Sequence, residues 1–133
     1  MDYIILAPVV ENGWDTVLKE AKKAKIPVII ADRQVKVKDD SLYTTWVGAD
    51  FYQEGQKACS WMEQYAERNK KKTLNIVHIM GTEGATAQIG RTKALEEAAK
   101  KNGWNILEQQ TGEFTQAKSH EVMEEYLNKY KDI

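Results

Sequence analysis

Short, uninterrupted apolar runs alternate with longer amphipathic segments along this chain, and this alternation constrains the fold more than any other feature. Residues 3–7 and 27–31 are continuous apolar runs, a pattern typical of strands buried on both faces in a parallel sheet. Between them, apolar residues recur at helical spacing at Trp14, Val17, Leu18, Ala21 and Ala24. The sequence therefore begins with a predicted strand, helix and strand.

The same alternation continues to the end of the chain. Asp50, followed three residues later by Gln53, resembles a capping box and predicts the start of a second helix. The remaining predicted elements are strands over 43–47, 74–80 and 104–108, a helix ending at Asn102-Gly103, and a helix beginning near Thr115. Strands and helices in this order predict an α/β fold with mostly parallel sheets and right-handed crossovers.

Helical spacing also predicts which side chains are buried. For the second helix they are Gly55, Ala58, Cys59, Met62, Tyr65 and Ala66. For the last helix they are Met123, Tyr126, Leu127 and Tyr130. Cys59 is the only cysteine, which excludes a disulfide framework and favours a small core residue.

Composition excludes several classes of partner. The 133 residues form at most one compact domain, and 19 basic against 20 acidic side chains provide no electrostatic footprint for nucleic acid. No segment approaches the roughly 18 apolar residues of a membrane span, and no signal-peptide pattern follows Met1. Charge and hydropathy therefore point to neither a nucleic acid nor a membrane.

The candidate binding residues follow the predicted strands, because ligands of open parallel sheets bind beyond the carboxyl ends of the strands. Asp32 and Arg33 end the strand over 27–31 and offer a carboxylate acceptor beside a planar five-donor guanidinium, a pair that suits vicinal sugar hydroxyls. A surface ion pair in a loop explains the same two residues equally well.

Arg91 and Phe114 are the other two candidates. Arg91 occupies the helical stripe Ala87, Arg91, Ala94, Leu95 and Ala98, which we expect to face the sheet, so its cation needs a partner. A snorkelling side chain or an internal salt bridge is the alternative. Phe114 lies in a polar turn, where its ring could stack on a sugar face.

The sequence contains no clear motif for phosphate binding, metal binding or nucleophilic catalysis. The loop over 81–86 lacks the Gly-Lys-Ser/Thr of a phosphate loop, and its glycines do not fit G-x-G-x-x-G. His78 and His120 have no metal-ligand partner at useful spacing, and no Gly-x-Ser-x-Gly elbow is present. We therefore expect no catalytic residues, no metal and no cofactor.

Taken together, Asp32-Arg33 after a strand, Gly48-Ala49-Asp50 before a helix, Gly81-Thr82-x-Gly84 and Arg91 resemble the type I periplasmic sugar-binding proteins. The residues over 8–15, 114–118 and 121–123 look most like the galactofuranose-binding branch, beside the ribose- and galactose-binding ones. Ala94 departs from the family's Arg-x-x-Gly pattern, and Ser119-His120 replaces a familiar Gly-Lys.

The resemblance implies two α/β lobes that close on a monosaccharide such as galactofuranose, galactose or ribose and present it to an ABC permease, in the periplasm or at the extracellular face of the cell membrane. It implies hydroxyl contacts from Asp32, Arg33 and Arg91, and a ring contact from Phe114. Residues 1–48 would belong to the first lobe and 49–133 to the second, with Gly48, Ala49 and Asp50 as the first hinge crossing.

Family members are longer, so the resemblance also implies that this sequence is an internal segment with two partial lobes. Their uncovered strand edges predict self-association. The sugar-binding effector domain of LacI-type repressors shares the fold and stays open as an alternative, as does a chemosensing component. An enzyme of the doubly wound class is the rival from another category.

Overall fold

The computed structural model describes all 133 residues, which divide into two compact units. Unit 1 comprises Met1–Ala49 with Gly84–Thr86, and unit 2 comprises Asp50–Glu83 with Ala87–Ile133. All strand pairs are parallel, which agrees with the predicted α/β class. No helix combines the length and the apolar character that a membrane span requires.

Unit 1 is a three-stranded parallel sheet with one α-helix and a short 3-10 helix, Asp40–Leu42. Strands β1 (Ile4–Leu6), β2 (Val28–Ala31) and β3 (Thr45–Val47) pair in chain order, and helix α1 (Asp15–Lys23) connects the first two. The buried core residues are Leu18, Val28, Ile30, Val35 and Leu42. Alternate strand residues point away from this core and leave Tyr3, Ile5 and Val47 exposed. Self-association through such apolar side chains remains a prediction.

Unit 2 is a parallel strand pair between helices. Strands β4 (Asn75–Met80) and β5 (Asn105–Thr111) pair with one register shift at Ile76/Val77. The helices are α2 (Phe51–Arg68), α3 (Thr86–Asn102) and α4 (Gln116–Lys129). One core cluster consists of Ala66, Leu74, Ala99 and Trp104, and α4 buries Val122 and Tyr126.

The helix boundaries follow the predicted signals. Asp50 caps α2 by accepting a 2.9 Å hydrogen bond from the Gln53 amide, and Thr115 caps α4 through the Lys118 amide. Gly103, with φ 67°, ends α3 in the left-handed conformation that glycine adopts readily. Local chemistry therefore sets where these helices start and stop.

The predicted buried faces of the helices are only partly right. On α4, Tyr126 is buried as expected, but Met123 and Leu127 are exposed, and Val122, which the helical pattern did not predict, is buried. On α2, Gly55, Cys59 and Ala66 are buried, whereas Ala58 and Tyr65 are exposed. A helix that covers only a narrow sheet buries one row of side chains, so the wider apolar stripe overestimates its buried face.

Candidate functional site

Asp32 follows β2 with its main chain held by β3. Its amide donates to the Val47 carbonyl at 2.9 Å, and its carbonyl accepts from the Trp46 indole Nε1 at 3.1 Å. These two bonds stabilise a φ of 65°, in the left-handed region that Asp tolerates better than most residues. The backbone therefore turns sharply here and directs the chain away from the sheet.

Arg33 is held to the loop that follows β1. Its Nη1 donates to the Val9 carbonyl at 3.2 Å, and its Nε lies 3.9 Å from the Asp32 carboxylate. That separation is an ion pair without a hydrogen bond, and the Asp32 side chain is mostly exposed. The surface ion pair that was the alternative explanation for Asp32 and Arg33 is therefore present. It is loose, and it leaves the Asp32 carboxylate oxygens accessible.

Gly48 lies close to the same turn. A Cβ at this position would collide with the Asp32 carbonyl oxygen and the Trp46 indole, so no side chain fits there. Two residues later, Asp50 caps α2. Residues 48–50 are therefore fixed at both ends by specific contacts while adopting no regular structure themselves.

Arg91 does not face the sheet as expected; it faces α2. Its Nε and Nη2 donate to Glu54 Oε2 at 3.2 and 2.8 Å, and its guanidinium lies 5.1 Å from the centre of the Phe51 ring. The salt bridge that was the alternative reading of Arg91 is therefore observed. The Arg91 side chain is 43% exposed, and its Nη1 makes no hydrogen bond, so donors remain for a ligand.

Phe114 occupies a strained turn after β5. Both Glu113 and Phe114 have φ of 55°, a conformation that costs a non-glycine residue about 1–2 kcal/mol. Hydrogen bonds from the Glu113 amide to Thr111 Oγ1 and from the Thr115 amide to the Gly112 carbonyl hold the turn. Strain of this kind at an aromatic residue suggests that the position of the ring matters.

The Phe114 ring packs over Gly81, and it remains 45% exposed. Any side chain at Gly81 would occupy the space of the ring. Gly81 follows β4 and Phe114 follows β5, so both lie at the carboxyl ends of their strands. Absence of a side chain at Gly81 is therefore what leaves room for the ring beside the strand end.

Arg91 and Phe114 line one cavity of unit 2, with a volume of about 160 Å³. Polar side chains complete its lining, namely His78, Gln88, Thr92 and Ser119. Two larger cavities of unit 2 contain none of the predicted site residues. We take the smaller cavity as the candidate site because it lies at the carboxyl ends of parallel strands, where ligands of such sheets bind.

Three residues beside the predicted ones were not predicted as site residues: His78 and Gln88, which line the cavity, and Glu54, which binds Arg91. Gln88 Nε2 donates to Thr92 Oγ1 at 3.2 Å, and His78 Nδ1 lies 2.8 Å from Gln109 Oε1. The sequence contained one indication of the Glu54 contact. Gly55 on α2 and Gly90 on α3 are small residues that allow the two helices to approach closely, and this approach brings Glu54 to Arg91. No group of three His, Cys, Asp or Glu residues is arranged to hold a metal ion.

The whole sequence, residues 1–133, matches the family described as periplasmic binding protein domain. The chain belongs to this family. The galactofuranose-binding protein of Escherichia coli K12 is 45% identical over 129 residues, which are 96% of this chain and 39% of that protein.

Solved structures of relatives share the fold. The periplasmic binding protein of an arabinose ABC transporter from Shewanella, bound to L-arabinofuranose, is 46% identical and superimposes with a TM-score of 0.88 over 97% of this chain and 42% of that one. A Mycobacterium smegmatis protein in complex with β-D-fucofuranose is 40% identical, with a TM-score of 0.92 over 100% and 44%. The chain thus spans about two fifths of the length of these relatives.

Proposed function

We propose that this chain is part of the carbohydrate-binding protein of an ABC-type uptake system, and that the protein binds a neutral monosaccharide, with a furanose ring, by closing on it. The named relatives bind galactofuranose, L-arabinofuranose and β-D-fucofuranose, which supports both the transport role and the ring form. Such a protein acts in the periplasm or on the outer face of the cell membrane and delivers its sugar to a permease.

The cavity that Arg91 and Phe114 share carries this proposal. Its lining combines an exposed aromatic ring with a guanidinium that keeps unused donors, and amide and hydroxyl groups lie beside them. A sugar needs this combination, because one face of its ring presents C–H groups and its rim presents hydroxyls. In the proposed complex, Phe114 covers the ring and Arg91 donates to hydroxyl oxygens.

Asp32 and Arg33 have the same role at the end of β2. Asp32 would accept from a sugar hydroxyl and Arg33 would donate to one, with the main chain of Asp32 fixed by its bonds to β3. Residues 1–48 would form the first lobe, and residues 49–133 the second. Gly48, Ala49 and Asp50 would be a hinge crossing, because glycine accepts a wider range of backbone torsions than other residues.

Binding and closure need no covalent step, so we propose no enzymatic activity for this protein. No two side chains of the cavity are paired as a catalytic nucleophile and its general base. The lining groups are instead suited to hydrogen bonding. No observation favours a repressor effector domain over a transport protein.

The test is calorimetric titration of the full-length protein with galactose, arabinose, fucose and ribose, as free sugars that include their furanose forms. Arg33→Ala and Arg91→Ala are titrated alongside, and Arg68→Ala is the matched control because Arg68 hydrogen-bonds only to Gln64 on its own helix. We expect binding of at least one sugar, at least about ten-fold weaker in both site variants and unchanged in the control. A folded wild-type protein that binds none of them would refute the proposal.

A further inference from the structure

Arg91 is held on two sides by α2. The Glu54 carboxylate accepts hydrogen bonds from Arg91 Nε and Nη2, and the Phe51 ring lies against the guanidinium group. Phe51 is almost fully buried, so it forms a firm support for the cation. These contacts fix the direction of the guanidinium group before any ligand arrives.

The two helices meet here because their sequences allow a close crossing. A Cβ on Gly55 would lie 2.7 Å from the Ala94 Cβ, and one on Gly90 would lie 2.8 Å from the Tyr52 amide nitrogen. Phe51 and Glu54, three residues apart on α2, share the helix face that meets Arg91. The crossing therefore presents a ring and a carboxylate together to a single arginine.

This arrangement has two consequences for a ligand. Since Glu54 occupies the Nε and Nη2 edge, Nη1 and its hydrogens remain available for a hydroxyl oxygen. Since the Glu54 carboxylate lies 2.8 Å from Nη2, it also offsets the positive charge of Arg91. An anionic sugar would gain little from the arginine and would be repelled by the carboxylate.

We propose that Glu54 is a positioning and specificity-determining residue, which orients Arg91 for hydroxyl recognition and disfavours acidic sugars by cancelling its charge. This inference rests on the proposed sugar-binding function. Asp32 beside Arg33 is a similar pairing of carboxylate and guanidinium, although a looser one. Each unit thus balances its candidate arginine with one carboxylate.

The test compares a neutral sugar with its acid. Full-length wild type, Glu54→Gln and Glu54→Met are titrated with D-galactose, L-arabinose and D-galacturonate at low and high salt. Glu97→Gln is the control, since Glu97 pairs with Lys93 and Tyr52 on the same two helices but does not contact Arg91. The readout is the ratio of the affinities for acid and neutral sugar, which does not depend on the folded fraction of a sample.

For both Glu54 variants we expect weaker binding of the neutral sugar and an acid-to-neutral ratio raised about ten-fold at low salt, with a smaller rise at high salt because exposed charges are screened. The control should keep the wild-type ratio. If both Glu54 variants bound the neutral sugar as tightly as wild type and kept the wild-type ratio, the role of Glu54 would be overturned. The proposed function would stay intact. Absence of any sugar binding by wild type would instead refute the proposed function.

Discussion

The two units hold their candidate arginines in different ways. In unit 1, Arg33 is attached to a main-chain carbonyl of the loop after β1, and its neighbour Asp32 is fixed through the backbone of β3. In unit 2, Arg91 is held by side chains, the Glu54 carboxylate and the Phe51 ring, both on α2. The first arrangement depends on the sheet, and the second depends on how closely two helices pack.

This difference indicates which substitutions affect each candidate residue. Changes in helix packing should displace Arg91, whereas loss of a bond to the strand end should loosen Asp32 and Arg33.

Tyr126→Ala should destabilise unit 2 by about 3–5 kcal/mol, because the side chain is fully buried between α4 and the strands and its removal leaves a cavity. Leu127→Ala, its neighbour at 55% exposure, should cost far less. Urea unfolding measures both. Equal losses would mean that α4 covers the sheet with a different face.

Gly55→Ala should destabilise unit 2 by about 1–3 kcal/mol, since the new methyl group would lie 2.7 Å from the Ala94 Cβ and push the helices apart. Sugar affinity should fall with it, because Arg91 moves away from Glu54. The control is the exposed Gln56→Ala. Unchanged stability and affinity in Gly55→Ala would show that the crossing is loose.

Trp46→Phe should cost about 1 kcal/mol, because it removes the indole donor to the Asp32 carbonyl and keeps an aromatic ring. Binding should weaken through Asp32 and Arg33, while Arg91 is unaffected. Trp61→Phe, at an exposed indole on α2, is the control. Equal effects on stability and affinity in the two variants would argue against backbone control of the unit 1 site.

Acid should weaken a contact of unit 2 that lies away from the site. Hydrogen bonds from Lys129, Tyr130 and Gln110 hold the pKa of Glu108 below its ordinary value of 4.5. A lowered pKa in the folded state stabilises the protein above the ordinary value, and this stabilisation is lost as pH falls through the lowered one.

The free energy of unfolding, followed from pH 7 down to 3, should therefore decline less steeply below about 4.5 in Glu108→Gln than in wild type. Parallel curves for the two proteins would show that the Glu108 contacts contribute nothing to folding.

The sequence predicted the order of elements and their capped ends, because these depend on local signals. Asp50, Thr115 and Gly103 determine helix boundaries through bonds and torsions within a few residues. It also pointed to Arg91 as a cation that needs a partner. It could not identify that partner, because Glu54 is 37 residues away and their meeting depends on how α2 and α3 cross.

The apolar stripes overestimated burial for a related reason. Leu127 continues the helical pattern of α4, yet the two paired strands beneath it leave it exposed. Phe114 was noticed only because an aromatic ring is unexpected in a polar turn, and its contact with Gly81 needs the tertiary structure. Local pattern thus indicates which residues are unusual, and packing determines what they contact.

The most direct test of the proposed site is a crystal structure of the full-length protein with the sugar that calorimetry identifies. We predict sugar hydroxyls at about 3 Å from Arg91 Nη1, from Arg33 and from the Asp32 carboxylate, with the Phe114 ring against the sugar face and Glu54 still bonded to Arg91. A sugar bound elsewhere, with Arg91 and Phe114 both out of contact, would contradict the site and the function that rests on it.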